Sequence, residues 1–478
     1  MSSASPSSES RYLSNKTFDE IAVGERASLT RTLMPEDVKL FAILTGDINP
    51  ATIDPKYSES GMFREAIAHG MWSGSLISTV LATQFPGPGT ILIDQSLRYT
   101  RPVSIGDRIE ITLTVKQKFA HNRHVLFECA CVNQEGLEVV HGTAEVLAPS
   151  EKVTRLHQGG QAPSIRIDDK HARFTEMLAR VKGLEPIPTA VAHPCDAESL
   201  KGPVQAFQAG IIEPILVGPE NKIRSVAEEH GLDLSGIRIV NAAHSHDSAA
   251  LAVSLVKTGD AEALMKGSLH TDELMSEVIA RANGLRTSRR ISHVFVMQVP
   301  TYHRPLLITD AAINIAPTLE EKVDIIQNAI DLAHVLGIAE PKVAILSAVE
   351  TVNPKIESTL HAAALCKMAD RGQIKGGLLD GPLAFDNAVS IVAAKTKGIH
   401  SAVAGQAEIL VVPDLESGNM VAKQLEYLAN ALTAGIVLGT KVPIVLTSRA
   451  DTAETRTASC VIAALIAHAQ RARLQENA

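Results

Sequence analysis

The chain has 478 residues, 45% of them hydrophobic and 21% charged, a globular composition too long for one ordinary core. A formal net charge of -8 and 3% aromatic residues exclude the broad basic, stacking surface that nucleic acid demands. No run of eighteen apolar residues occurs, so no membrane span is predicted, and five cysteines without a CxxC array predict reduced thiols in a cytoplasm and no metal centre.

The first residues, MSSASPSSES, are Ser-rich and lack the basic start and apolar core of a secretory signal, so 1–12 is expected to be a disordered tail. From 13 to 148 the pattern is that of an antiparallel sheet with one buried face. DRIEITLTVKQKF (107–119) and HVLFECACVN (124–133) alternate, and a helix is predicted over about 70–84. Cys129 and Cys131, one residue apart, would share a strand face as packing groups. KTFDEIAVGE (16–25), FAILTGDINPATID (41–54), AIAHGMWSGSL (66–76) and QSLRYTRPVSIGD (95–107) stand in one order. In that order the segment resembles the MaoC-like hotdog domains, the fold of the R-specific enoyl-CoA hydratases.

The resemblance implies a pocket built from Asp47, Asn49, Thr52, His69 and Gly70, with the Gly70 N–H polarising a thioester carbonyl. The hydratase signature GDxNPxH uses its Asp and His to position water. Here Asp47 is kept but Thr52 stands where the His belongs. A hydroxyl cannot replace an imidazole of pKa about 6.5 as a proton carrier near neutral pH. Loss of such a group removes about a hundred- to ten-thousandfold in rate, so this half is expected to have lost hydration. His69, part of the hotdog AHGM pattern, is not expected to take over.

APSEKVTRLHQGGQAP loses periodicity and collects Gly, Pro and Gln, which places a linker at 149–165. Beyond it, 166–478 repeats one grammar: EPILVG, IRIVNA, EALMKGS, KVAILSA, GGLLDGP, AEILVVPD and VPIVLTSRAD, short apolar runs with polar ends between helical stretches. That is the pattern of a mainly parallel, doubly wound α/β sheet, whose ligand crevice lies beyond the carboxyl ends of its strands. Those ends carry Lys266, Gly267 and Ser268, then Ser347, then Asp380 and Gly381, and finally Ser448, Arg449 and Asp451. Helix-like sequence follows the last of them, so its first N–H groups, near Glu454, would favour an anion.

DGPLAFDNAVS (380–390), VAGQAEILVVPDLESGNMVAKQL (403–425) and PIVLTSRAD (443–451) occur with KGSLHT (266–271), ITDAAINIAP (308–317) and SAVETVNPK (347–355). Over about 166–475 the chain resembles the phosphate acetyltransferases and phosphate butyryltransferases, and the wording of DGPLAFDNAVS and LTSRAD is nearer the butyryl type. The resemblance implies two α/β lobes like those of isocitrate and isopropylmalate dehydrogenases, with inner boundaries near 315 and 440. It also implies acyl transfer between coenzyme A and phosphate through a ternary complex, with no tightly bound cofactor.

Arg449 suits the phosphoryl oxygens and Ser448 the thiolate or leaving sulfur. Acetyl-type enzymes carry an acidic base where Thr455 stands here, which leaves Asp451 and Glu454 as candidates. Lys266, Gly267, Ser268, Thr271, Asn314, Asp380, Gly381 and Arg290, the best match within Arg286, Arg289 and Arg290, are assigned to phosphate or coenzyme A. His270 is assigned to orienting its loop. Both resemblances imply homodimers, so a homo-oligomer is expected. The expected activity is a short-chain phosphate acyltransferase with a silent hotdog domain. The alternatives are a non-catalytic acyl-CoA-binding regulator, kept open by the altered base position, and a bifunctional hydratase and acyltransferase, opposed by Thr52.

Overall fold

The computed structural model describes residues 12–47, 49, 68–156, 172–282, 284–448 and 451–476. Thr52, Arg449 and most of the expected tail and linker therefore lie outside the described residues. The chain forms two compact units, Met1–Ile167 and Asp168–Ala478.

In the first unit β1 (Tyr12–Ser14) pairs antiparallel with β7 (Thr154–Leu156), so three residues of the expected linker belong to a ladder. Between them run β2 (Arg26–Thr32), β3 (Ile91–Tyr99), β4 (Arg108–Phe119), β5 (His124–Val132) and β6 (Glu138–Leu147). They form one antiparallel sheet in the order β2-β4-β5-β6-β3. The helix Met71–Thr83 buries Trp72, Ile77, Val80 and Leu81 in the same core as Ile109, Ile111, Leu113, Val125 and Phe127. This is the hotdog arrangement. Cys129 and Cys131 share the buried face of β5, as their spacing requires, and burial pushes both thiols up to about 12.

The second unit is built on one eleven-stranded sheet, in the order β10-β9-β8-β11-β18-β17-β12-β13-β16-β14-β15. One half holds β8 (Ile187–Ala192), β9 (Ile212–Gly218), β10 (Arg238–Asn241), β11 (Ala263–Lys266) and the short β18 (Ile444–Val445), all parallel. The other holds β13 (Leu306–Thr309), β14 (Lys342–Leu346), β15 (Leu378–Leu383) and β16 (Ile409–Val411), also mutually parallel. Between the halves lie β12 (Ser292–Gln298) and β17 (Leu432–Leu438), antiparallel to each other and to their outer neighbours.

The two parallel halves are joined into one mixed sheet. The reason is connection length: residues 439–443 and 299–305 are too few to hold a crossover helix, so β17–β18 and β12–β13 must be antiparallel. Three reversals separate β18 from β13. The two parallel halves therefore run in opposite directions.

Candidate active site

At one edge, β8, β11 and β18 end side by side. Gly267 follows β11 so closely against β8 that a Cβ there would stand 2.3 Å from the Ala192 carbonyl oxygen and 2.5 Å from that of His193. The Ser268 N–H and hydroxyl both donate to the His193 carbonyl, at 2.9 and 2.8 Å, which stitches the two strand ends together. Lys266 is 2% exposed, and its ammonium lies 3.4 Å from the carbonyls of Gly267 and Thr447. A buried cation is thus held beneath the Ser448 loop. His270 is the N-cap residue of the helix Thr271–Ile279, without a capping hydrogen bond from its side chain.

The last helix, Ala453–Glu476, supplies a second buried cation that sequence reading missed. Arg456 is 1% exposed. Its Nη1 donates to Thr447 Oγ1 at 2.8 Å and to the Lys266 carbonyl at 3.3 Å, and its Nη2 donates to the Ser448 carbonyl at 2.9 Å. Gly202 makes the space, since a Cβ there would meet Arg456 Cβ at 2.6 Å. Glu198 Oε2 accepts the Ala453 N–H at 2.9 Å and so occupies one of the unpaired donors of the last helix.

Asp451 is buried at 4% exposure. Its Oδ2 accepts the Ser448 N–H at 2.7 Å, and its Oδ1 lies 3.6 Å from the Lys423 ammonium. Burial works against that ammonium, but the hydrogen bond to Glu426 and the Asp451 charge outweigh it and raise its pKa. His293 is fully buried nearby with Nε2 3.4 Å from the Leu446 carbonyl. Burial lowers its pKa, against the opposing charges of Asp310 and Asp451. Ser448 and Glu454 are exposed, Glu454 in the first turn of the last helix, whereas Thr455 is buried.

The other assigned residues stand elsewhere. Arg290 Nε donates to Asn314 Oδ1 at 2.7 Å, and its guanidinium pairs with Glu321 at 2.9 Å. Asn314 donates in turn to Asp310 and to the Ile291 carbonyl. This cluster follows β13, whose direction is opposite to that of β18, and its Asp310 acts on His293 together with Asp451. Asp380 and Gly381 lie within β15, the far edge strand, six strand positions from β18. At about 4.8 Å per strand that is roughly 29 Å. A side chain on Gly381 would strike Ile345 at 2.8 Å, so its glycine is explained by packing.

In the hotdog unit His69 Nε2 lies 3.4 Å from Asp47 Oδ2. His69 Nδ1 accepts the Met71 N–H at 3.1 Å, so the neutral ring carries its proton on Nε2, facing Asp47. Phe41 stacks on the ring with centroids 4.9 Å apart. The Asn49 N–H donates to Asp47 Oδ1 at 3.0 Å, and Gly70 is the N-cap of Met71–Thr83. A cavity of about 330 Å³ opens beside His69, Gly70 and Tyr99.

Residues 243–464 match the family model described as phosphate acetyl/butaryl transferase, and residues 20–136 match that of the MaoC like domain. The phosphate acetyltransferase of Rhizobium meliloti is 62% identical over 301 residues, 63% of this chain and 95% of that protein. The phosphate butyryltransferase of Clostridium acetobutylicum is 45% identical over 294 residues, 62% and 98% of the two chains. The higher of these identities is to the acetyl type, against the wording of the two motifs. The branched-chain phosphotransacylase structure from Enterococcus faecalis V583 is 32% identical and superposes with a TM-score of 0.53, covering 59% of this chain and 99% of that one. The second unit is thus that of an acyltransferase. The chain belongs to the phosphate acetyl/butyryl transferase family and carries a MaoC-like domain ahead of it.

Proposed function

We propose that the second unit transfers a short acyl group, acetyl, propionyl or butyryl, reversibly between coenzyme A and phosphate. The observation that carries this reading is the Ser448 loop, set over two buried cations, Lys266 and Arg456, at the start of a long helix. In the direction of thioester formation the thiolate attacks the acyl carbon, the C–S bond forms, and the C–O bond to phosphate breaks. Phosphate leaves with the electron pair, Arg449 is assigned to its oxygens by charge and shape, and Ser448 donates to the sulfur.

Asp451 is assigned to holding Ser448, and Glu454, exposed in the first turn of the last helix, is the proposed base. Glu454→Gln is expected to lower kcat about a hundredfold without changing thermal stability, whereas Asp451→Asn should lower both. Equal stability losses in the two variants would reverse the assignment. The deciding experiment is release of coenzyme A thiol from acetyl-, propionyl- and butyryl-CoA with and without phosphate. Release that ignores phosphate would be thioester hydrolysis and would overturn the phosphate acyl transfer, and no release with any chain would favour the non-catalytic alternative.

No cysteine is placed to carry an acyl group. Burial holds Cys195 at about 11 and Cys366 and Cys460 at about 12, like the two hotdog thiols. At pH 8 each thiolate fraction is roughly one in a thousand or less. A thiol-disulfide reagent is expected to find none of the five thiols in the native protein and all five after denaturation. Rapid labelling of one native thiol would reopen a covalent route.

For the hotdog unit the pairing of His69 with Asp47 favours the bifunctional reading over the silent one. Asp47 would take a proton from water as its oxygen adds to Cβ of an enoyl-CoA and return it to Cα, with His69 orienting the carboxylate. Crotonyl-CoA hydration is expected in the native protein and about a hundredfold less in His69→Ala and Asp47→Asn. No hydration by the native protein would restore the silent reading. Copies of the chain are proposed to associate, and the exposed Ile91, Leu92, Ile93 and Tyr99 on edge strand β3 support pairing through this unit.

A further inference from the structure

A second crevice lies where β13, β14 and β16 end. Two helices start there, Leu319–Val335 with its N-cap at Thr318 and Leu415–Leu428 with its N-cap at Asp414. Between them is a cavity of about 340 Å³ whose wall includes Thr318, Lys322, Ser358, His361 and Asp414. Carboxyl ends of parallel strands, flanked by helix N-termini, are where α/β sheets take ligands.

The unusual member is Lys322, only 4% exposed. Its ammonium lies 3.3 Å from His361 Nδ1, and among the described residues no carboxylate reaches it within ion-pair distance. The neighbouring acids are otherwise engaged. Asp414 Oδ1 accepts the N–H and the hydroxyl of Ser417, both at 2.8 Å, and the exposed Glu357 lies 3.6 Å from His361 Nε2. Because His361 Nδ1 faces the ammonium as an acceptor, its ring proton sits on Nε2, toward Glu357, and the imidazole adds no positive charge of its own. Burial lowers the Lys322 pKa against the pull of Asp414 and Glu357, and burial together with the Lys322 charge lowers that of His361.

A buried ammonium has three N–H donors, and one acceptor leaves it poorly compensated. Buried charges of this kind are normally paired, and breaking such a pair is strongly destabilising. An anion entering the cavity would supply the missing charge and accept the remaining donors, while the two helix N-termini would favour it from the sides. Ser358 Oγ, 2.9 Å from Ser347 Oγ, adds a hydroxyl for a further anion oxygen.

We infer that this cavity is an anion-binding site for a small carboxylate or phosphate compound, centred on Lys322 and lined by none of the residues that hold the acyl-transfer loop. The inference does not depend on which acyl group the enzyme transfers. Its test uses the full chain carrying Arg449→Ala, which removes the phosphate-gripping residue proposed for the acyl-transfer loop. Thermal unfolding and titration calorimetry are followed with inorganic phosphate and, separately, malonate. At least one probe is expected to raise the melting temperature in the Arg449→Ala protein, and adding Lys322→Met should weaken the apparent affinity at least tenfold. The ratio of the two affinities tells phosphate from carboxylate as the preferred head group. If Lys322→Met does not fold, His361→Ala at the same wall is used, with at least fivefold weakening expected. No response to either probe, or an equal response with and without the cavity substitution, overturns the site.

Discussion

Arg456→Ala is expected to cost about 3–5 kcal/mol of stability in the second unit and to abolish acyl transfer. The guanidinium fills space that Gly202 keeps open, and it donates to three acceptors from two strand ends. Truncation leaves a cavity of arginine size and strands the Lys266 carbonyl, the Thr447 hydroxyl and the Ser448 carbonyl. The Lys266 carbonyl ends β11 and Ser448 follows β18, so losing the bridge uncouples the two sides of the site. Arg456→Lys should recover packing but not the forked contact, giving intermediate stability and little activity. Denaturant unfolding followed with acyl-transfer assays checks both parts. A stable, active Arg456→Ala protein would show that the loop holds itself.

Arg449→Ala is expected to lower kcat/KM for phosphate about a thousandfold, the usual scale for an arginine that stabilises a phosphoryl group. The residue before it is pinned twice, at its N–H by Asp451 and at its carbonyl by Arg456. Arg449→Lys should recover only a small part, because a point charge cannot grip two phosphoryl oxygens as a planar fork does. The separation to measure is KM for phosphate against KM for acyl-CoA. A change confined to acyl-CoA would move Arg449 to the coenzyme side.

The strands announced themselves where a single apolar run ended in polar residues, as at Lys266 and Thr447, and the alternation of β4 and β5 was read almost to the residue. What stayed hidden depended on partners distant in the chain. Arg456 sits in a helix where an arginine ordinarily means a solvated face, and only Gly202, more than 250 positions earlier, reveals its burial. Asp451 reads as a candidate base, and its contact with the backbone of Ser448 is one that side-chain chemistry does not advertise. Asn314 and Arg290 carry suitable chemistry, yet they follow and precede strands whose direction single segments do not show. Connection lengths at 299–305 and 439–443 held that information, and counting them against the length of a crossover would have found it. His69 was discounted for belonging to a common pattern, and only the fold shows that its ring reaches Asp47.

The ladder between β12 and β17 runs without interruption from Ser292 opposite Leu438 to Gln298 opposite Leu432. Two lobes that merely touched could swing like jaws around a hinge of a few residues. Here the would-be hinge is itself cross-linked by main-chain hydrogen bonds, so rigid-body opening would have to tear a sheet in its middle. Substrate capture in this enzyme is therefore expected to be the work of surface loops and of small changes in sheet twist, with the backbone spine transmitting strain from one edge to the other.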